Sequence, residues 1–192
     1  MSRQLPLLEN FICQADNDLI SFAVLNHYMI FEPAVYHAVQ AIEKYLKALA
    51  LSLAGTQHKP QAEFDDSWLR THDLVKLAER CSKALPFYGE ERVIDDMTRF
   101  SELNNLARFP IAEQLHWNGF STSDHNRFEE IILHLRTDIP IVRDDYPLGC
   151  LIRGYKQGKP LRRKSGLLPD SQRVSAALLR NVITRADQLV RW

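Results

Sequence analysis

The chain has 192 residues, a length that suits one compact domain with an appendage, and 45% of them are hydrophobic and 25% charged. These fractions are ordinary for a globular protein and argue against a fibre, a membrane protein or a wholly disordered chain. The 24 Lys and Arg residues balance the 24 Asp and Glu residues, and a net charge of zero argues at first sight against a nucleic-acid partner.

The first two predicted elements are long amphipathic helices. Apolar residues that recur three or four positions apart predict a first helix from about Leu7 to Tyr28. Pro33 suits the first turn of a new helix, because its missing N–H would be unpaired there anyway. The same apolar spacing predicts a second helix from about Glu32 to Ala54, and Gly55 marks its end.

Three further helices follow in the first part of the chain. Thr71 is predicted to cap the third helix, with Asp73 in its first turn, where the helix dipole favours a negative charge. Pro86 ends that helix. A fourth helix is predicted from about Glu90 to Ala107 and a fifth from about Ser123 to Thr137. Short loops between amphipathic helices predict an all-α fold, an up-and-down bundle of four to five helices.

The character of the chain changes in its last quarter. We expect residues 1–140 to form the bundle and residues 141–192 to form a Gly- and Pro-containing basic extension that ends in a helix from about Ser171. Residues 1–152 carry 14 basic and 22 acidic side chains (net −8), whereas residues 153–192 carry 10 basic and 2 acidic ones (net +8). The net charge of zero is therefore the sum of an acidic first part and a basic last part of the chain. The basic extension can bind a phosphate backbone, fold back on the acidic bundle or dock on a partner subunit.

We expect no membrane span, signal peptide or metal centre in this chain. The longest early stretch without a charged residue, 19–31, has 13 residues and falls short of the ~20 apolar residues that a span needs. The N-terminal region is acidic and has no apolar signal-peptide core. The cysteines are far apart and lack zinc or disulfide spacing: Cys13, Cys81 and Cys150. We therefore expect a reduced, cytoplasmic protein without a metal or other cofactor.

Three segments share a pattern with a known family. The first, from Ala34 to Leu51, contains His-Ala-x-Gln-Ala-x-Glu-Lys-x-x-Lys-Ala. The second is Thr71-His-Asp-Leu74, and the third is Ala107-Arg-Phe-Pro110. In this order they resemble the HEPN family of small helical bundles, over about residues 7–138. The third segment has Phe109 where the family usually has Tyr.

The resemblance suggests residues that bind a nucleotide or RNA: Gln40, Glu43, Lys47, His72 and Arg108. Gln40, Glu43 and Lys47 are three and four positions apart, so they share one face of the second helix. In the functional interpretation, Lys47 meets a phosphate and Gln40 reads a base or sugar. In the structural interpretation, Glu43 and Lys47 form a solvated ion pair beside the core. His37 is one position off this stripe and is typical of a histidine at a helix interface.

His72 and Arg108 also have two interpretations each. The segment that contains His72 is either a simple helix cap or a corner that also holds an anion, because the N–H groups at a helix N-terminus attract anions. His72 can add a titratable donor near neutral pH. Arg108 either complements the dipole at the end of its helix or forms a fork for a phosphate.

Many HEPN members are metal-independent ribonucleases that use an Arg-x4–6-His motif. In that chemistry the His moves the proton of the attacking 2′-hydroxyl, and the Arg stabilises the developing charge. Arg127 and His134 are separated by six residues, so they are the candidate catalytic pair, and their spacing puts both on one helix face. Phe128 follows Arg127 where the motif usually has a polar residue.

Three functions are compatible with the sequence. The resemblance implies a protein that binds nucleotide or RNA, forms homodimers and works with a separately encoded minimal nucleotidyltransferase in a toxin–antitoxin-type pair. A second interpretation is an active, metal-independent HEPN endoribonuclease. A third is a non-catalytic helical adaptor whose polar stripe is only surface.

Overall fold

The computed structural model describes residues 4–55, 67–108 and 119–139. This part of the chain contains five α-helices: α1 (Gln4–His27), α2 (Phe31–Gly55), α3 (Leu74–Ser82), α4 (Glu91–Arg108) and α5 (Thr122–Asp138). Short 3₁₀ helices precede α3 and α4, at Ser67–Arg70 and Pro86–Gly89. The predicted all-α helical bundle is confirmed. The extension predicted over 141–192, with its final helix, lies outside the described residues.

The central helix of the bundle is α2, which packs against α1, α3, α4 and α5. Its apolar side chains are accordingly buried on more than one side, and Ala38, Ile42, Tyr45 and Leu49 have no exposed surface. A helix enclosed in this way can also bury polar side chains, and α2 buries those of Glu43 and Lys47. This placement decides the environment of Glu43, described below.

A three-residue turn joins α1 to α2. Met29 at its apex has a φ of 59°, in the left-handed region, and is 71% exposed. Backbone hydrogen bonds from Met29 N to Asn26 O (3.1 Å) and from Ile30 N to Leu25 O (2.9 Å) close the turn. The tight reversal lays α1 along α2 as an antiparallel hairpin.

The start of α3 differs from the prediction. The N-cap is Asp73 and not Thr71, because the Asp73 carboxylate accepts a hydrogen bond from Lys76 N at 3.1 Å. Thr71 Oγ1 accepts one from Asp73 N at 3.2 Å, which shapes the loop just before the cap. Both residue types are good caps, and the extended backbone of Asp73 delays the helix by two residues. His72 therefore lies in the loop and not in the helix.

Aromatic rings attach α5 to the rest of the bundle. The ring of Phe128 on α5 lies 4.8 Å from that of Phe22 on α1 and 6.3 Å from that of Phe100 on α4, centroid to centroid. A capping box between Ser121 and Asp124 starts α5, because each side chain accepts the other's backbone N–H. These contacts fix the direction of α5, so that its last turn reaches α1 and α2.

Candidate functional site

The carboxylate of Glu43 is the centre of a polar cluster made by α2 and the loop before α3. Lys47 Nζ, one turn further along α2, donates to Glu43 Oε1 at 2.6 Å, and Gln40 Nε2 approaches Oε2 at 3.5 Å. From the loop, His72 Nδ1 lies 3.0 and 3.1 Å from the two carboxylate oxygens. Four of the five predicted binding residues therefore meet around one carboxylate.

Burial divides this cluster into an enclosed part and an exposed part. The side chains of Glu43 and Lys47 are only 4% and 5% exposed, whereas that of His72 is 78% exposed. The interpretation of Glu43 and Lys47 as a solvated ion pair is therefore wrong, because α2 is enclosed by its neighbours. Lys47 holds Glu43 in place, and His72 is the member of the cluster that is exposed to solvent.

The contact with Glu43 fixes the ring of His72. A carboxylate accepts hydrogen bonds, so Nδ1 carries the hydrogen and donates it to Glu43. With Nδ1 turned to the buried carboxylate, Nε2 lies on the exposed side of the ring. A ring held in this way presents one nitrogen that can accept or donate a hydrogen bond, or transfer a proton.

Arg108, the fifth predicted binding residue, is the last residue of α4 and is exposed. The contacts around Glu43 come from α2 and the loop before α3, whereas Arg108 stands at the end of a different helix. Phe109 and Pro110, which complete its family-like segment, lie outside the described residues. A phosphate contact by Arg108 stays a prediction.

His37 belongs to a second polar group, between α1 and α2. Its Nδ1 lies 2.8 Å from Asp18 Oδ1, and the other carboxylate oxygen of Asp18 accepts a hydrogen bond from Lys44 Nζ. The prediction that His37 is a histidine at a helix interface is confirmed. This group ties the two helices of the hairpin together.

A third polar group, made by Asp16, Tyr45 and Arg136, joins α1, α2 and α5. Asp16 and Tyr45 have no exposed surface, and the Asp16 carboxylate accepts hydrogen bonds from both partners. Arg136 Nη1 also donates to the Tyr45 hydroxyl at 2.5 Å. Burial raises the pKa of Tyr45 well above its usual value, against the opposing charge of Arg136. Burial lowers the pKa of Arg136. Tyr45 and Asp16 outweigh this effect, so the pKa is raised overall.

Sequence reasoning missed this third group. The signal was present on α1, where Asp16 follows the buried Ile12 at a spacing of four and precedes the buried Leu19 at a spacing of three. An acid at a position where the helix pattern calls for an apolar residue needs a partner inside the core. The sequence pattern alone, however, does not say which basic residue that partner is.

The two residues of the predicted catalytic pair, Arg127 and His134, both lie on α5 and contact different partners. Arg127 donates to Asp96 at 2.8 Å through Nε and also to Glu130. The hydrogen bond with Asp96 raises the pKa of Arg127, although partial burial opposes it. The ring of His134 stacks on that of Phe87, with 3.7 Å between centroids. Two carboxylates already compensate the guanidinium, and a catalytic role for the pair stays a prediction.

The thiol of Cys81 is expected to be inert in the folded protein. It has no exposed surface and approaches Leu46 O at 3.7 Å, and burial raises its pKa from the ordinary 9.0 to about 12. Such a rise lowers the thiolate fraction near pH 8 about a thousandfold, and the thiolate is the reacting species. In a Cys13→Ser/Cys150→Ser variant, a thiol reagent should label Cys81 only after denaturant is added. Fast labelling of the native protein would contradict the burial of this thiol.

No group of three or more His, Cys, Asp or Glu side chains within residues 4–55, 67–108 and 119–139 is arranged to hold a metal ion. The helices of the described part were also considered as membrane spans. None of these helices combines the necessary length with the necessary apolar character.

Comparison with known proteins identifies the family of the fold. A family model of the HEPN domain matches residues 8–137, from the first turns of α1 to the last turn of α5. The curated proteins and the solved structures gave no match. The match covers more than half of the chain and includes Glu43, His72 and Arg136. The chain belongs to the HEPN family.

Proposed function

We propose that the protein binds a nucleotide or RNA at the corner between α2 and the loop before α3, with His72 as the exposed contact. HEPN domains are generally related to nucleotides or RNA. The observation that carries the proposal is the contact of His72 Nδ1 with both oxygens of the buried Glu43. It holds an otherwise exposed ring in one orientation.

Each residue of the cluster has a separate part in this proposal. Lys47 compensates the charge of Glu43 inside the bundle, so that the carboxylate can stay buried. Glu43 fixes the ring, and Nε2 of His72 accepts a hydrogen bond from a sugar hydroxyl or, in the imidazolium form, donates one to a phosphate oxygen. Gln40 supports the cluster from the same helix, and Arg108 is proposed as a further phosphate contact.

The proposal extends to partners. HEPN domains often dimerise, which supports a homodimer for this chain. The family resemblance supports a separately encoded minimal nucleotidyltransferase as a second partner, in a toxin–antitoxin-type pair. In such a pair, the opposite net charges of residues 1–152 (−8) and residues 153–192 (+8) support charge-complementary binding to a partner.

A metal-independent endoribonuclease is the second candidate function, and the orientation of His72 favours it. In this step Nε2 of His72 takes the proton of a 2′-hydroxyl as the 2′-oxygen attacks the neighbouring phosphorus. The bond between phosphorus and the 5′-oxygen breaks, and the 5′-oxygen takes a proton from water. The products are a 2′,3′-cyclic phosphate and a 5′-hydroxyl. His72 suits this role better than His134, whose ring is stacked on Phe87.

Replacing His72 with glutamine tests the proposed site. A hydrogen bond to a charged group contributes about 1.5–3 kcal/mol, so we expect the affinity for a labelled oligoribonucleotide to fall about tenfold or more. Fluorescence anisotropy measures the affinity. Because the side chain is 78% exposed, the variant should fold like the wild type. His134→Gln is the matched control and should bind like the wild type.

The same two variants separate the candidate functions. A loss of binding below about twofold in His72→Gln would contradict the proposed site, whereas a wild type that binds neither a nucleotide nor RNA would favour the adaptor. If the wild type cleaves the oligonucleotide and His72→Gln does not, the result supports His72 as the proton acceptor of the ribonuclease step. If cleavage is instead lost in His134→Gln, the catalytic pair of α5 is the right one.

A further inference from the structure

A cavity of about 420 Å³ lies between α3 and the 3₁₀ helix that precedes it. Trp68 of the preceding 3₁₀ helix and Leu77 form its apolar wall. Lys76, Arg80 and Lys83 form a cationic rim. Its volume falls within the range of about 300–1,000 Å³ that is usual for small-molecule sites.

The rim combines a flat cationic surface with two exposed ammonium groups. The guanidinium carbon of Arg80 lies 4.3 Å from the centre of the Trp68 ring, so the guanidinium covers that ring. Lys76 and Lys83 are exposed and stand one turn before and about one turn after Arg80, on the same side of the helix. The ion pair of Lys76 with Asp73, at 3.3 Å, is itself exposed and therefore weak.

The charge of this rim is opposite to that of the bundle. Residues 1–152 have a net charge of −8, whereas the cavity is lined by three basic side chains and one acidic side chain, Glu79. A local excess of positive charge on an acidic body attracts an anionic ligand to that place. The stacked guanidinium of Arg80 also favours a ligand with a flat, aromatic part.

We propose that this cavity binds single-stranded RNA, with one base stacked on the guanidinium of Arg80 and the flanking phosphates on Lys76 and Lys83. These two lysines are about 10 Å apart along the helix axis, and their long side chains can reach phosphates on either side of one nucleotide. Thr71 lines the cavity and precedes His72, so a strand that leaves the cavity passes the exposed His72. The inference rests on the proposed function.

Removing the two ammonium groups tests the phosphate contacts. For the full chain and a fluorescein-labelled octauridylate, we expect Lys76→Gln/Lys83→Gln to weaken binding about tenfold at low salt. The slope of log K against log salt should fall by about 1.4, because each phosphate contact on a single strand contributes about 0.7. The matched control is Arg92→Gln/Arg99→Gln on α4, where the side chains are 56% and 51% exposed. It removes the same charge and should change binding less than twofold.

Arg80→Lys tests the stacking separately, because it keeps the charge and removes the planar group. We expect its affinity for the octauridylate to fall about fivefold or more with an unchanged salt slope. Unchanged binding in both α3 variants would overturn the inference. Equal loss in the α4 control would overturn it too, because the binding would then follow net charge and not this cavity. Equal competition by an acidic peptide would show that the ligand is not RNA.

The outcomes also separate this inference from the proposed function. If the wild type binds no octauridylate, the cavity fails, and if it also binds no nucleotide, the proposed function fails with it. If His72→Gln weakens binding and the α3 variants do not, only the cavity fails. If the α3 variants weaken binding and His72→Gln does not, the cavity stands and the proposed contact at His72 fails. Circular dichroism confirms that each variant keeps the helical content of the wild type.

Discussion

Arg136→Met should lower the free energy of unfolding by about 3–5 kcal/mol, the range for removing one partner of a buried ion pair. Asp16 has no exposed surface, and its carboxylate accepts hydrogen bonds from Arg136 and Tyr45. Without Arg136, the carboxylate stays in the core with its compensating charge removed, and the tie between α5 and the α1–α2 hairpin is lost. Urea denaturation followed by circular dichroism measures the effect.

Two variants give this prediction its controls. Arg92→Met removes an arginine whose side chain is 56% exposed and whose partners are Glu90 and Glu130, so it should cost less than about 1 kcal/mol. Asp16→Asn/Arg136→Met removes both charges and leaves an oxygen for the Tyr45 hydroxyl. It should be more stable than Arg136→Met alone. If Arg136→Met costs no more than Arg92→Met, Asp16 does not depend on Arg136 for its place in the core.

Lys47→Met should lower the free energy of unfolding by about 3 kcal/mol, because it leaves the carboxylate of Glu43 buried without the cation that compensates its charge. The effect is at the lower end of the range since His72 also faces Glu43. Glu43→Gln/Lys47→Met should recover most of the stability, because a neutral amide needs no cation. His72→Gln changes an exposed side chain and should alter stability by less than about 1 kcal/mol.

The same denaturation series decides between two kinds of site. If Lys47→Met unfolds no more easily than the wild type, the ion pair does not stabilise the bundle, and Lys47 becomes available as a ligand contact after all. If stability falls as expected and the double variant restores it, Lys47 is a supporting residue. The affinity of Glu43→Gln/Lys47→Met for RNA then shows how much the proposed contact at His72 depends on the charge of Glu43.

The sequence predicted the fold well because apolar spacing and prolines carry most of the helical information. The second helix was expected from Glu32 to Ala54 and is found at Phe31–Gly55. The third helix shows where local signals compete, since Thr71 and Asp73 are both good caps and only the backbone of the loop decides between them. Helix bounds of this kind depend on one or two dihedral angles and not on the hydrophobic pattern.

The candidate site was predictable in its members and not in its burial. The spacing of Gln40, Glu43 and Lys47 put them on one face, and the structure adds that His72 reaches the same carboxylate. That Glu43 is enclosed follows from four neighbouring helices around α2, which no pattern along one helix reveals. The contact of Arg127 with Asp96 on α4 could not be predicted from the pattern along one helix either, because the two residues lie on different helices. Such partners are set by tertiary packing.

The link between Asp16 and Arg136 also bears on how the chain folds as it is synthesised. The hairpin partners of α1 come early, since His37 follows Asp18 by 19 residues and Tyr45 follows Asp16 by 29. Arg136 follows Asp16 by 120 residues. At about 5–20 residues per second, it leaves the ribosome about 6–24 s later. The nascent hairpin therefore forms around an acid that lacks its final cation, and the arrival of α5 completes the core.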